Sequence, residues 1–192
     1  MALFPFFMNI EGKAGLIIGS GKHAQEKIER LAPYGPELTV IEEKNFKESD
    51  LDSLPAFVIA AGEDKNQNHR IAELCRAKRI LVNVVDDQEY CDFIFPSLIS
   101  HGNLSVGICT NGASPATGVL LKRKIESQIP ENIEEILDFL QKKRPAIAQA
   151  LNNKKQRFAF YYQLSEICMA NDRALSEEEF TELLKSAINE NP

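Results

Sequence analysis

The sequence predicts an α/β fold: a domain built on a parallel sheet, then a hairpin with one helix, and last a small all-helical domain. Three observations lead to this prediction. An apolar run stops at two glycines and restarts as a helix within residues 14–31. Strand and helix patterns then alternate up to about residue 85. From about residue 130 onward the apolar residues have only helical periodicity.

The turn after the first strand has the pattern of a dinucleotide-binding turn. It contains Gly19-Ser20-Gly21 and continues through Lys22 and His23 to Ala24. The first glycine permits a tight turn, the second lets a pyrophosphate approach the backbone, and the alanine lets the helix pack closely on the strand. The helix N-terminus would then bind the phosphates. The pattern predicts a Rossmann-type domain, and an ordinary strand-to-helix turn is the alternative.

A carboxylate ends the second predicted strand. Glu42 follows the apolar run Leu38 to Ile41, about 20 residues beyond the glycines. At this place an acidic side chain can hydrogen-bond the ribose 2′-OH of a dinucleotide. Glu42 therefore favours NAD over NADP.

Two further strands and a helix complete the predicted sheet domain. The strands are expected at residues 56–61 and 80–85, with the helix at about 66–77. Alternating strands and helices imply parallel pairing with right-handed crossovers. The 14 residues between Ile41 and Ala56 leave little room for a crossover helix. We expect a short turn or helical fragment there.

The pattern changes after the sheet domain. Residues 93–99 and 104–109 are apolar runs joined by a polar turn, which predicts an antiparallel hairpin. Ser114-Pro115 predicts the N-cap and first turn of a helix that runs to about residue 129. We therefore divide the chain into residues 1–95, 96–129 and 130–192.

The last of these segments is predicted to be helical throughout. Its apolar residues first repeat at i, i+3, i+4 and i+7, and Pro145 is expected to open a second helix. A later apolar stripe is expected to form core, and Ser176 to Glu179 reads as a capping box. The stripe consists of Phe158, Tyr161, Tyr162 and Ile167.

Composition limits the classes of function. The 192 residues have a net charge of −6, which argues against nucleic acid as a partner. No window approaches the roughly 18 apolar residues of a membrane span, so we expect no membrane partner and a cytoplasmic location. Four cysteines lack any C-x-x-C pair, which gives no sign of a zinc site. Residues 116–157 nevertheless carry nine basic and five acidic side chains, which could steer a polyanionic ligand.

Two more runs give a family resemblance. Residues 83–96, from Asn83 to Pro96, lie where the fourth strand ends, the edge at which ligands bind in open α/β sheets. Together with residues 19–24, the run Asn111-Gly112-Ala113-Ser114-Pro115 and the helical tail, they resemble the precorrin-2 dehydrogenase and sirohydrochlorin ferrochelatase family of siroheme synthesis. The resemblance covers roughly residues 4–130.

The resemblance implies an activity and an assembly. Members of this family oxidise precorrin-2 to sirohydrochlorin with NAD⁺, and many also insert Fe²⁺ to make siroheme. They are intertwined homodimers of the cytoplasm, and here the hairpin and the helix after Ser114 would form the dimerisation region. The chain is similar to the free-standing members rather than to fusions with the methyltransferase.

The resemblance also implies roles for single residues. Asp86 matches the essential aspartate of the family and is the expected catalytic residue, since oxidation needs a proton acceptor beside the cofactor. His69 and His101 are candidates for metal binding or proton transfer, or are ordinary surface residues, and no metal-ligand set is assigned. The cofactor residues would be Gly19, Gly21, Lys22 and His23 at the pyrophosphate and Glu42 and Glu43 at the adenosine ribose, while Asn111, Gly112 and Ser114 would bind a substrate carboxylate.

Some positions depart from the family pattern. Ser20 replaces a usual glycine, His23 replaces a usual valine, and Gly62-Glu63-Asp64 stands where Thr-Asp-Asp is common. The segment between Ile41 and Ala56 is also shorter than usual by most of a helix. The alternative function is a module of the same fold that binds NAD or a tetrapyrrole without catalysis. A short-chain oxidoreductase is a third possibility, but the Tyr-x-x-x-Lys pair of that class is missing.

Overall fold

Four parallel strands form the sheet of the first half of the chain. A computed structural model describes residues 3–189, and the chain divides into two units, Met1–Phe95 and Pro96–Pro192. In the first unit the strand order is β2-β1-β3-β4. Its elements are β1 (Ala14–Ile18), α1 (Lys22–Leu31), β2 (Glu37–Ile41), β3 (Phe57–Ala60), α2 (Lys65–Ala77) and β4 (Leu81–Val84). The predicted α/β class and the parallel pairing are confirmed.

The sheet has an apolar core on each face. Side chains alternate along a strand, so consecutive residues of β1 enter different cores. Ile17 packs in the core that also contains Ala24 and Leu31 of α1. Leu16 and Ile18 pack in the core that contains the buried face of α2. Burial on both faces explains why the strands read as continuous apolar runs rather than as alternating ones.

The connection between β2 and β3 contains no α-helix. Two 3₁₀ turns, Glu43–Asn45 and Glu48–Leu51, take its place, as the shortness of this segment predicts. Leu51 is fully buried in the core beneath α2, and Phe46 packs against the same core. Two apolar side chains thus cover the sheet where a crossover helix would otherwise lie.

The second unit starts with an antiparallel hairpin and continues as four helices. The hairpin is confirmed, but its first strand is Ser97–His101 rather than residues 93–99. The helix capped by Ser114 is also confirmed, because the Ser114 hydroxyl accepts a hydrogen bond from the Thr117 N–H at 3.2 Å. The first of the four helices ends before the expected residue 129. The elements are β5 (Ser97–His101), β6 (Leu104–Ile108), α3 (Pro115–Glu126), α4 (Ile133–Ala150), α5 (Lys154–Asn171) and α6 (Glu177–Asn189). Within residues 3–189 no helix has the length and apolar character that crossing a membrane requires.

Two details of the helical prediction are wrong. Pro145 does not open a helix but lies inside α4. Phe158 and Tyr162 do not belong to the core, because their exposed fractions are 72% and 60%. The buried face of α5 instead contains Phe160, Leu164 and Cys168. All five α5 residues are compatible with helical periodicity, so the sequence pattern alone could not identify the buried face.

The internal proline of α4 gives the first prediction. Pro145 has no N–H for the carbonyl of Gln141, and its ring crowds that carbonyl. We therefore expect Pro145→Ala to raise the free energy of unfolding by about 1 to 3 kcal/mol, measured by urea denaturation. Gln149→Ala, at another exposed position of α4, is the control and should change it by less than about 0.5 kcal/mol. No gain from Pro145→Ala would indicate a helix start at Pro145, as the sequence suggested.

Candidate functional site

The candidate cofactor site lies at the carboxyl ends of the four parallel strands. Ligands bind at this edge in open α/β sheets. Four segments meet there because the strands are parallel and in register: the glycine turn after β1, the 3₁₀ turn after β2, the loop of residues 61–64 and the loop of residues 85–92. The predicted residues Gly19 to His23, Glu42, Glu43 and Asp86 all belong to these segments.

Gly19 is required by the close approach of two strands. Its φ is +136°, and a Cβ at this position would lie 2.3 Å from the backbone oxygen of Ala61. The Gly19 N–H donates to the Ile41 carbonyl at 2.8 Å. The first glycine therefore joins β1 to both neighbouring strands, and any side chain would separate them.

Gly21 leaves the start of α1 open. It is the N-cap residue, with φ +88° and no side-chain cap, and a Cβ built on it meets no atom within 4 Å. The N–H groups of the first turn have no partners within the helix. Lys22 and His23 are exposed there, while Ala24 is buried against the sheet. An uncapped helix N-terminus with an open glycine and a basic side chain fits the phosphates of a dinucleotide.

Glu42 and Lys44 form an exposed pair after β2. The Lys44 Nζ lies 2.9 Å from the Glu42 Oε2, and the hydrogen bond and charge of Glu42 raise the pKa of Lys44. Exposed pairs of this kind contribute little stability. The Glu42 side chain is itself exposed to solvent, at the position where a carboxylate is expected to bind the ribose of a dinucleotide.

Glu43 has a different environment from Glu42. Its carboxylate accepts hydrogen bonds from the N–H groups of Glu63 at 2.9 Å and Asp64 at 3.1 Å. Its backbone carbonyl accepts one from the Gln67 side chain at 2.8 Å. A Cβ on Gly62 would lie 2.3 Å from the Glu43 carboxylate, so Gly62 makes room for it. The two carboxylate oxygens of Glu43 thus connect the loop after β2 to the start of α2.

Asn68 was missed by the sequence analysis. It is a buried polar side chain whose Oδ1 accepts from the Gly62 N–H at 3.1 Å and whose Nδ2 donates to the Gly62 carbonyl at 2.9 Å. A buried amide that bonds both backbone groups of one residue fixes the course of that loop. The signal was available in the helical pattern, because Asn68 shares the apolar face of α2 with Ile71, Ala72 and Cys75.

Asp86 lies at the end of β4 in a strained position. It is exposed and has a φ of +59°, a left-handed conformation that non-glycine residues seldom adopt. The following residue, Asp87, contacts α2: its Oδ2 lies 2.7 Å from the His69 Nε2. Cys91 closes the loop by hydrogen bonds of its thiol to Val84 and to the Asp87 carbonyl. Burial raises the pKa of the Cys91 thiol, so it is a structural group.

The predicted substrate residues lie together in the second unit. Asn111 and Gly112 have φ values of +51° and +78° in the turn before α3. The Asn111 Oδ1 and N–H both contact the Cys109 thiol, at 3.3 and 3.2 Å. The Ser114 hydroxyl caps α3 and accepts from the Thr117 hydroxyl at 2.8 Å. Asn111 and Gly112 are exposed, and the Ser114 hydroxyl is already used in the cap.

Metal ligands are not grouped in the described part of the chain. Within residues 3–189 there is no set of three or more His, Cys, Asp or Glu side chains placed to bind a metal ion. His101 is 3.8 Å from Glu126, and His69 is 2.7 Å from Asp87, so each histidine faces one carboxylate.

Comparison with known proteins agrees with this geometry. The sheet and the glycine turn define the first unit as a Rossmann-type domain, and residues 6–97 match the family described as putative NAD(P)-binding. Two curated relatives are the siroheme synthases of Nitrosococcus oceani, 29% identical over 95% of this chain and 43% of that protein, and of Zymomonas mobilis, 31% identical over 84% of this chain and 38% of that protein. The chain thus spans about two fifths of the length of these relatives.

A solved structure extends the likeness to both units. The structure of SirC, precorrin-2 dehydrogenase, matches with a TM-score of 0.68 and 22% identity, and covers 96% of this chain and 98% of that one. At this identity the match establishes the fold. The siroheme synthase relatives align over 84 to 95% of this chain and support the resemblance seen in the sequence.

The two glycines of the turn give a paired prediction. We expect Gly19→Ala to lower the free energy of unfolding by more than about 3 kcal/mol, because its Cβ would meet a backbone oxygen. Gly21→Ala has free space and should cost only about 1 to 3 kcal/mol, the cost of its backbone conformation. Thermal and urea unfolding measure both. Equal losses would contradict the close approach of β1 and β3 at Gly19.

The two glutamates after β2 give a second paired prediction. Glu43→Ala leaves two backbone N–H groups without their acceptor and should lower the free energy of unfolding by about 1 to 3 kcal/mol. Glu42→Ala is the matched control and should lower it by less than about 1 kcal/mol, because it loses an exposed pair. Urea denaturation decides between them. A larger loss from Glu42→Ala would contradict the role given to Glu43.

Proposed function

We propose that this protein is an NAD-dependent precorrin-2 dehydrogenase, which oxidises precorrin-2 to sirohydrochlorin in siroheme synthesis. The observation that carries the proposal is the exposed Asp86 at the same sheet edge as an open glycine turn. Its relatives and the similar solved structure, by their names, support the choice of substrate. The chain matches only part of each relative, so the activity remains our proposal.

The proposed cofactor contacts are made mainly by exposed residues at the carboxyl edge of the sheet. The backbone N–H groups at Gly21, Lys22 and His23 would bind the pyrophosphate, with Gly19 making the turn possible. Glu42 would accept a hydrogen bond from the adenosine ribose, which favours NAD over NADP. Glu43 would act indirectly, because its hydrogen bonds hold the loop of residues 62–64 beside the ribose.

Asp86 is proposed as the proton acceptor. Conversion of precorrin-2 to sirohydrochlorin removes two electrons and two protons, which amounts to one hydride and one proton. NAD⁺ supplies the hydride acceptor when bound. The Asp86 carboxylate would take the proton and release it to solvent, to which it is exposed.

The substrate is proposed to bind through its carboxylates. Precorrin-2 carries eight of them, and residues 116–157, with nine basic and five acidic side chains, form a positively charged segment within a chain of net charge −6. Some of these basic groups have internal roles, since Arg157 donates to the Leu151 and Asn152 carbonyls. Asn111, Gly112 and Ser114 would bind one carboxylate at the start of α3.

Assembly and iron insertion complete the proposal. We propose a homodimer formed through the hairpin and α3, supported by the exposed apolar side chains Val119, Leu120, Leu121 and Ile125. Fe²⁺ would be a second substrate, and Asp86 the group that removes pyrrole protons during its insertion. The cytoplasm, where siroheme would be made, is the proposed location.

Loss of the Asp86 carboxylate tests the oxidation. Anaerobic incubation of the intact protein with precorrin-2 and NAD⁺ should form NADH. Asp86→Ala should lower the rate by about 10² to 10⁴-fold, because the proton acceptor is removed, with NAD⁺ affinity unchanged. Glu89→Gln, at an exposed carboxylate of the same loop, is the control and should keep the rate.

Other outcomes identify the alternative. Absence of NADH formation by the intact protein would overturn the dehydrogenase. If calorimetry then still detects NAD⁺ or porphyrinoid binding, the chain is the non-catalytic module of the same fold. Siroheme formation from sirohydrochlorin and Fe²⁺, compared with the spontaneous rate without protein, tests the insertion separately.

A further inference from the structure

His69 of α2 contacts two residues of the loop that carries Asp86. Its Nε2 lies 2.7 Å from the Asp87 Oδ2, which is a charge-assisted hydrogen bond. Its ring stacks on Tyr90, with centroids 3.7 Å apart and an interplanar angle of 4°. Both contacts come from one side chain, one with the edge of the imidazole and the other with its face.

Arg76, two turns further along α2, also contacts this loop. Its guanidinium lies 5.7 Å from the Tyr90 ring centroid. It donates to the Glu89 carbonyl at 3.2 Å and lies 3.6 Å from the Asp92 carboxylate. The helix therefore fixes the loop of residues 87–92 along its length, and none of these contacts involves Asp86.

Asp86 needs such support because of its backbone. A left-handed φ at a non-glycine residue is strained, and strain persists only where the surroundings hold it in place. On the strand side, Val84 is fixed in the sheet and bonded to the Cys91 thiol. On the other side, the next residue is Asp87, whose carboxylate is held by His69.

We propose that His69 is a positioning residue: through Asp87 and Tyr90 it sets the conformation at Asp86 and thereby the direction of the Asp86 carboxylate. The inference rests on the proposed function, in which Asp86 accepts the substrate proton. A misplacement of about 1 Å at a reacting group can cost about 10²-fold in rate. His69 would therefore act on turnover and not on binding of NAD⁺, which the loops after β1 and β2 perform.

Two His69 variants separate the two contacts. His69→Gln keeps a donor for Asp87 but loses the stacked ring, and His69→Phe keeps a ring but loses the donor. We expect each to lower kcat for NADH formation by about tenfold or more, with KM for NAD⁺ changed less than about twofold. Lys78→Gln is the control, because it removes another ion pair, between the residue that follows α2 and Asp52 at 2.9 Å, and should keep kcat.

Tyr90 provides a second pair of variants should a His69 variant fold poorly. Tyr90→Phe retains the stacked ring and should keep kcat, whereas Tyr90→Leu should reproduce the loss seen in His69→Gln. Circular dichroism checks that each variant is folded. Equal losses in both Tyr90 variants, or wild-type kcat in folded His69→Gln and His69→Phe, would overturn the proposal.

A double-mutant cycle with Asp86 shows whether His69 acts through that residue. In single-turnover experiments with excess protein, His69→Gln should cause no further loss once Asp86 is alanine. The same fold loss in both backgrounds would mean a purely structural role and would contradict the inference. If the intact protein forms no NADH, the proposed function fails and this inference fails with it. An active intact enzyme with His69 variants of unchanged kcat overturns the inference alone.

Discussion

The first unit depends on how the backbone N–H and C=O groups at the carboxyl edge of its sheet find hydrogen-bond partners. The connection between β2 and β3 has no crossover helix, so no α-helix begins directly after β2 at this edge. Backbone N–H groups at that edge still need acceptors. The Glu43 carboxylate provides two acceptors, and the Asn68 amide bonds both backbone groups of Gly62. Two side chains thus shape the edge where the cofactor is proposed to bind.

Helix α2 connects this edge to the proposed reaction centre. Asn68 and His69 are adjacent in sequence but point to different loops, because neighbouring helical residues are about 100° apart. The first fixes the loop after β3, and the second contacts the loop after β4. One turn of one helix therefore contacts both the loop proposed to border the cofactor and the loop that carries Asp86. The open start of α1 needs no such support, because Gly19 is fixed by β2 and β3 directly.

The sequence is most informative where the cause is local. Strand runs, the glycine turn and the Ser114 cap depend on neighbouring residues, and all three were predicted correctly. The Glu43 contact to Asp64 spans 21 residues, and the His69 contact to Asp87 spans 18, so only the packed structure shows them. Local preference was also misleading once: Pro145 favours a helix start, but the apolar face of α4 packs continuously on α5 and α6.

We propose that the glycine turn and the loop after β2 together form one dinucleotide site. Amide hydrogen exchange of the intact protein, with and without NAD⁺, tests this most directly. We expect slower exchange at residues 21–24 and 42–45 on adding NAD⁺, with the helices of the second unit unchanged. Unchanged exchange at residues 21–24 in the presence of saturating NAD⁺ would contradict it.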